Sequence, residues 1–337
     1  MSVRFRPPAP QPESPMIPLR DTIPSKNYPV VNNSLIAVNV IIYLLELGHG
    51  PGIEHFIYLS GLVPARYSVP LVAQYFTTGQ QIFSLVSFMF LHGGFWHLLG
   101  NMWFLYIFGD NVEDRLGPLR YLVFYMLCGM ASGFSHFVFN LNSATPVIGA
   151  SGAIAGIMGA YFILYPKSRI LTLIPIFIIP YFIEISAFFF LGFWLVLQFL
   201  QAALTSGKTA GIAWWAHIGG FVFGIILLKI FLLLPEPDIS KKIRKATVKK
   251  KTCRLQVIRP IGRSNEPHLY GSIDITSGEA LKGTSKLVNI PWGFHKRLIR
   301  VTAPPGISDG TMLRLKGLGK KISDDRNGDL FLKVNIQ

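Results

Sequence analysis

Five polar side chains interrupt otherwise apolar stretches of this chain: His92, His97, Asn101, Ser151 and His217. Polar groups in such surroundings are costly to bury and are candidates for function by default. A serine hydroxyl is a weak nucleophile until a neighbouring base takes its proton, and near neutral pH that base is most often histidine. Ser151 and His217 supply one of each. A carbonyl attacked by Ser151 would develop an oxyanion, which needs donors placed beforehand. The Ser151 backbone N–H, at the start of a helix, and the side chains of His97 and Asn101 are the candidate donors. No carboxylate is evidently placed to orient His217, so the set reads as a Ser–His dyad, chemistry that calls for no metal and no cofactor. Taken singly, a membrane histidine or asparagine more often bonds a neighbouring helix. Taken together, the five are hard to obtain from packing alone.

Each of these residues lies on an element suited to hold it. Ser151 sits in PVIGASGAIAGIMGAYFILYP, residues 146–166, where Gly149, Gly152, Gly156 and Ala160 recur at three- and four-residue spacing. That spacing lines small residues along one helix face and lets a second helix approach closely. His217 lies in WWAHIGGFVFG, followed by Gly220 and Gly224 at the same kind of spacing. Two such faces packed together would bring Ser151 within reach of His217. His97 and Asn101 are four residues apart and share one face of a helix.

The composition agrees with elements that sit in lipid. The 337 residues are 50% hydrophobic and only 15% charged, with a mean hydropathy of +0.42. That balance excludes an ordinary soluble domain and fits a multi-span membrane protein. The net charge of +15 is uneven: residues 235–337 hold 21 Lys/Arg against 9 Asp/Glu. The two cysteines, Cys128 and Cys253, lie in different parts, so neither a disulfide scaffold nor a cysteine zinc site is expected.

The proline-rich residues 1–29 are expected to be a disordered tail, without the apolar stretch of a signal peptide. A first span is expected at 30–47. The aromatic connection 48–94, with Pro51, Pro64 and Pro70, reads as an amphipathic element at the interface or partly re-entrant. Further spans are expected at 95–112 and 121–140, then the Ser151 helix stopped by Pro166, and one at 214–234. Residues 170–204 are too long for one span of ~20 residues. Pro175 and Pro180 suggest a loop or bent piece before a fifth span at 183–204.

The fold class expected is thus an α-helical multi-pass bundle of six spans. Six spans put Arg4, Arg6, Arg20, Lys26, Arg115, Arg120, Lys167, Arg169 and the basic run 241–254 on one side, with only Arg66 and Lys208 on the other. The positive-inside rule makes the first side cytoplasmic, with both termini there, and disfavours a seventh span. A basic juxtamembrane linker, 235–265, would attract anionic headgroups of the bilayer or serve only as a topology signal. Short alternating runs from Leu269 to Gln337, separated by Gly, Pro and Asp, predict a small antiparallel β-domain over 266–337.

With these residues in view, the 30–234 region resembles the rhomboid family of intramembrane serine proteases. The motifs are FLHGGFWHLLGNMWFLYIFGDNVEDRLG, GASGAIAGIMGAY and AHIGGFVFG, in that order. The resemblance implies a six-helix fold and hydrolysis of peptide bonds in or near transmembrane segments of protein substrates. It implies Ser151 as nucleophile, His217 as general base, and His97 and Asn101 lining the oxyanion hole. His92, Glu113, Gly149, Gly152, Gly220 and Gly224 would be structural residues near the site. The family's first connecting loop often carries a Trp-Arg pair, and none occurs in 48–94. A bacterial cytoplasmic membrane is the expected location.

The tail 301–336, VTAPPGISDGTMLRLKGLGKK followed by NGDLFLKVNI, is similar to the C-terminal β-domain of DnaJ-type co-chaperones. No His-Pro-Asp motif or cysteine-rich module accompanies it. The likeness implies a groove or sheet edge for extended substrate or client peptide, against the alternative of a tethering domain. Nucleic acid is disfavoured because the basic residues concentrate beside the membrane. Two other functions compete: a non-catalytic adaptor that holds helices, which the complete residue set opposes, and a transporter, for which no inverted repeat is visible.

Overall fold

The computed structural model describes residues 16–176, 179–204, 213–248, 255–258, 260–262, 266–292, 295–323 and 326–337. The chain forms two compact units, Met1–Val248 and Lys249–Gln337.

The first unit begins with a strand, β1 (Ile17–Asp21), where a disordered tail was expected. The strand exists because a partner far along the chain takes up its backbone groups, as described below. Residues 1–15 of the expected tail lie outside the described residues. Helix α1 (Val30–Leu47) follows. It has no capping side chain of its own, and Glu113 takes that role. The Glu113 carboxylate accepts from the N–H groups of Val31 at 3.1 Å and Asn32 at 2.7 Å, two of the donors that a helix start leaves open.

The connection after α1 forms four short helices: α2 (Ile53–Ser60), α3 (Ala65–Ser68), α4 (Pro70–Ala73) and α5 (Thr78–Ser87). Proline explains the breaks. Pro64 and Pro70 stand where α3 and α4 begin, positions in which a missing N–H costs nothing. Arg66 pins this connection in the absence of a Trp-Arg pair. Its side chain is fully buried, its guanidinium lies 3.7 Å from the Phe76 ring centroid, and it donates to the Tyr58 carbonyl at 2.6 Å.

Helix α6 (Phe95–Leu116) runs four residues beyond its expected end and turns at Gly117, φ +83°, into α7 (Pro118–Phe139). Helix α8 (Ser151–Leu164) is buried all round from Gly152 to Tyr161, as a helix with no polar face should be. The piece before the fifth span is a hairpin, β2 (Arg169–Ile176) and β3 (Ile179–Ser186). It joins β1 in a three-stranded sheet of order β1-β2-β3, with Ile17 opposite Leu173 and Asp21 opposite Ile170. Helix α9 (Ala187–Leu204) follows β3 directly, so the span starts four residues later than expected. Helix α10 (Trp214–Leu233) packs against α7 and α8.

The expected linker is partly structured. Residues Asp238–Thr247 form helix α11, stapled locally by the Arg244–Glu236 pair at 3.1 Å and joined to the start of α1 by the Tyr28 N–H, which donates to the Thr247 carbonyl. Residues 249–254, 259 and 263–265 of that linker lie outside the described residues.

By length and composition, α1, α7, α9 and α10 can each cross a membrane. The segment Thr78–Phe90 and α6 qualify only together, across a 75° bend. That gives four spans, or five with the bent pair. Polar residues explain why α6 does not qualify alone: His97, Asn101, Asp110 and Asn111 interrupt its apolar run. Helix α8 is 14 residues long. At 1.5 Å per residue it covers about 21 Å, less than the ~30 Å hydrocarbon core.

The underside of the bundle holds a buried acid. The Tyr161 hydroxyl donates to Asp21 at 2.5 Å and the Asn111 amide at 2.7 Å. Burial raises the Asp21 carboxyl from 3.8 to about 7, with the Tyr161 hydrogen bond opposing and the Asp110 carboxylate adding to the shift. The sign follows from proton counting. Between those two values the folded protein keeps a proton that the unfolded chain releases, so β1 docks most firmly at acid pH and loosens as pH rises through about 7. Amide exchange across Ile17–Asp21, corrected for intrinsic rates, should be faster at pH 8 than at pH 6. Asp21→Asn should remove the difference. Equal protection at both pH values in the unaltered protein would contradict this.

The second unit is a mixed β-domain. Its elements are β4 (Leu255–Val257), β5 (Ile261–Gly262), β6 (Leu269–Ile275), α12 (Ser277–Lys282), β7 (Thr284–Trp292), β8 (His295–Ala303), β9 (Met312–Leu315), β10 (Lys321–Ser323), β11 (Arg326–Asn327) and β12 (Leu330–Ile336). One sheet has the order β5-β6-β12-β9, another β4-β7-β8, and β10 pairs with β11. Against the antiparallel expectation, β12 runs parallel to β6 and β4 parallel to β7. Side chains alternate identically in both kinds of pairing, so the alternation could not report direction. Ile273, Ile275, Val288, Leu330, Leu332 and Val334 form the centre of its core.

Candidate active site

Ser151 is the first residue of α8 and His217 lies in the first turn of α10. The closeness of these two helices follows from glycine. A Cβ on Gly220 would overlap the Gly152 carbonyl oxygen and stand 3.0 Å from its carbon. One on Gly224 would be 2.5 Å from the Gly156 Cα, and one on Gly159 would collide with the Phe221 backbone. On the α7 side of α8, Gly152 lies against Ser132 and Gly156 against Cys128. Small residues on both helices thus bring backbone against backbone, and side chains at the helix starts face one another across a short gap.

In that gap the Ser151 Oγ lies 2.8 Å from the His217 Nε2. The other ring nitrogen, Nδ1, lies 2.8 Å from the Gln198 Oε1 on α9. Trp194 and Trp214 flank the imidazole, with ring centroids 5.9 and 6.1 Å away. Gly149, two residues before Ser151, has φ +124°, a conformation that suits glycine. Its missing side chain makes room for His97: a Cβ there would stand 2.9 Å from the His97 Nε2 and 3.7 Å from the Asn101 Nδ2. His97 and Asn101 therefore border the loop that leads into Ser151.

Asn101 is buried, and its Nδ2 has no hydrogen-bond partner among the described residues. A buried donor left open in this way is exceptional and calls for an explanation. The His97 Nδ1 accepts from the Gly93 N–H at 3.3 Å.

The remaining expected residues divide. His92 stands behind His97, its ring edge-on at 5.2 Å, and its backbone N–H donates to the Glu46 carboxylate at 3.1 Å. Glu113 is not near this cluster. It lies 16 residues after His97 on α6, about 24 Å along the axis, where it caps α1. Gln198 was missed, although an amide in the apolar run AFFFLGFWLVLQFLQ, which holds Gln198 and Gln201, is the same signal that drew attention to the other five.

The comparisons with known proteins fall on this part of the chain. Residues 79–234 match the family described as "Rhomboid domain". RHOMBOID-like protein 1 of Arabidopsis thaliana is 30% identical over 156 residues, which is 46% of this chain and 36% of that protein. RHOMBOID-like protein 6, mitochondrial, of the same plant is 32% identical over 158 residues, 47% of this chain and 46% of the relative. Rhomboid protein 1, mitochondrial, of Saccharomyces cerevisiae is 28% identical over 152 residues, 42% of this chain and 40% of the relative. The chain thus spans between 36% and 46% of the length of these relatives. Two of them are named as mitochondrial, so the expected bacterial cytoplasmic membrane finds no support here. Apolar helices long enough to cross a bilayer mark this as an integral membrane protein, and the segment that carries Ser151 and His217 is similar to rhomboid proteins.

Proposed function

We propose that this chain is an intramembrane serine endopeptidase that cleaves the membrane-spanning segments of other proteins. The reading rests on one observation above the rest, the 2.8 Å approach of Ser151 Oγ to His217 Nε2 at the start of a buried helix.

In this reading the Ser151 oxygen bonds to the scissile carbonyl carbon while its proton passes to His217 Nε2. The carbonyl oxygen becomes an oxyanion and accepts from the Ser151 N–H and the Asn101 Nδ2, with His97 beside them. The first amides of a helix have no acceptor within it, which leaves the Ser151 N–H open, and the unpartnered Asn101 donor suits the same role. Collapse breaks the C–N bond, and His217 returns the proton to the departing amine. Water, activated by His217, then hydrolyses the acyl-serine and regenerates Ser151.

Six spans are retained, with α8 as a short central one and α6 completing its passage through its charged end. Both termini then lie on the positively charged cytoplasmic side. The β-domain on that side is read as a site for extended peptide. Among the described residues β8 is paired along one edge only, and its Leu298 is exposed, which suits strand addition.

The test is labelling with a fluorophosphonate probe, together with cleavage of a model transmembrane substrate by the purified protein. Both should be lost in Ser151→Ala and in His217→Ala. Undiminished labelling and cleavage in Ser151→Ala would overturn the assignment and leave the adaptor function as the better reading.

A further inference from the structure

We propose that Gln198 is a positioning residue of the catalytic pair: its amide oxygen holds His217 in the tautomer that can take the Ser151 proton. This deepens the serine-peptidase reading and rests on it.

The amide orientation follows from its neighbours. Gln198 is 6% exposed, and its side chain spans two partners: the Trp194 carbonyl at 3.4 Å on the Nε2 side and the His217 Nδ1 at 2.8 Å on the Oε1 side. A backbone carbonyl only accepts, so the NH₂ end must face Trp194 and the oxygen must face the imidazole. An amide oxygen also only accepts, so Nδ1 must carry the hydrogen. A neutral imidazole has one hydrogen, which leaves Nε2 with its lone pair directed at the Ser151 hydroxyl. The opposite tautomer would place a hydrogen between Nε2 and Oγ, and no proton could then leave the serine.

The same contact serves the charged intermediate. Once His217 has accepted the Ser151 proton, both ring nitrogens carry hydrogens, and Gln198 remains an acceptor for the one on Nδ1. It thus supplies the orientation that a carboxylate gives in a Ser–His–Asp triad, without a second charge in the membrane. A glutamine amide in an apolar helix is costly without partners, and here both ends of it are used.

Three variants test this in lipid nanodiscs, read by fluorophosphonate labelling rate against pH and by kcat and KM on a model transmembrane substrate. Gln198→Leu should slow labelling about ten- to hundredfold and lower kcat by a similar factor with KM little changed, short of the ~10⁴ lost when a triad carboxylate is replaced and the tautomer inverts. Gln198→Glu keeps an acceptor of the same length. It should recover most of the rate at alkaline pH and move the acid limb of the profile to higher pH, because an anion beside Nδ1 favours the protonated ring. Gln198→Lys, which offers only donors, should be as slow as the leucine variant or slower.

A leucine variant within about twofold of the unaltered protein, or a glutamate variant whose acid limb does not move, would overturn the role of Gln198 while leaving the peptidase reading intact. If the leucine variant fails to fold, the glutamate profile decides. Unaltered protein that labels no faster than Ser151→Ala would overturn both.

Discussion

Gly224→Val should leave the protein folded, destabilised and almost inactive, although residue 224 touches neither Ser151 nor His217. A Cβ at this position would lie 2.5 Å from the Gly156 Cα and 2.7 Å from its carbonyl carbon, contacts with backbone that cannot rotate away. Helices α8 and α10 must then separate, and the 2.8 Å Ser151–His217 contact lies in the same interface two turns away. Overpacking of this kind costs about 1–3 kcal/mol of stability. A misplacement near 1 Å between reacting groups costs about a hundredfold in rate. Thermal unfolding and fluorophosphonate labelling measure the two effects separately. Gly192→Ala is the control: its Cβ would meet only Phe162, at 3.9 Å, so the rate should stay unchanged and stability should not fall. Labelling of Gly224→Val at the rate of the unaltered protein would refute the link between helix approach and reactivity.

Asn101→Ala should divide activity and stability in the opposite way. The Asn101 Nδ2 is buried without a partner in the resting protein, so its removal breaks no existing hydrogen bond on that atom. Deleting a buried, unsatisfied donor is neutral to favourable for folding. If the amide serves the oxyanion, its loss lowers kcat by about 10²–10³, with KM little affected because the bond exists only as charge develops. An unchanged melting temperature with a collapsed kcat is therefore the expected pattern. A collapsed melting temperature with normal kcat would assign Asn101 to packing instead.

Much of this arrangement was legible in the sequence because it rests on local spacing. His97 and Asn101 share a face by their four-residue separation, and the glycines at 152, 156, 220 and 224 mark two faces that can meet. Gln198 escaped notice because its meaning lies in a partner on another helix. An amide in an apolar helix looks the same whether it bonds its own backbone or a side chain on another helix.

The stretch from Arg169 to Ser186 was obscure for a different reason. Its prolines read as a loop or bent piece before a span, and only a strand contributed by residues 17–21, far earlier in the chain, completes the sheet. The parallel pairing of β6 with β12 is likewise a long-range choice that alternation leaves open. The task of Glu113 is equally long-range: its carboxylate caps the start of α1, 81 to 82 residues earlier in the chain.

The junction of β3 with α9 has a mechanical side. Ser186 ends the strand and Ala187 starts the helix, with no residue between them to act as a swivel. Strands β1, β2 and β3 and the rod carrying Gln198 therefore form one crank. The N-terminal strand holds β2 through the register of Ile17 with Leu173, while the Asp21–Tyr161 bond fixes the same strand to α8. Two thirds of the way along α9, Gln198 meets the imidazole of His217. One continuous segment, β2 to β3 to α9, thus joins the partner of β1 to the residue that meets His217.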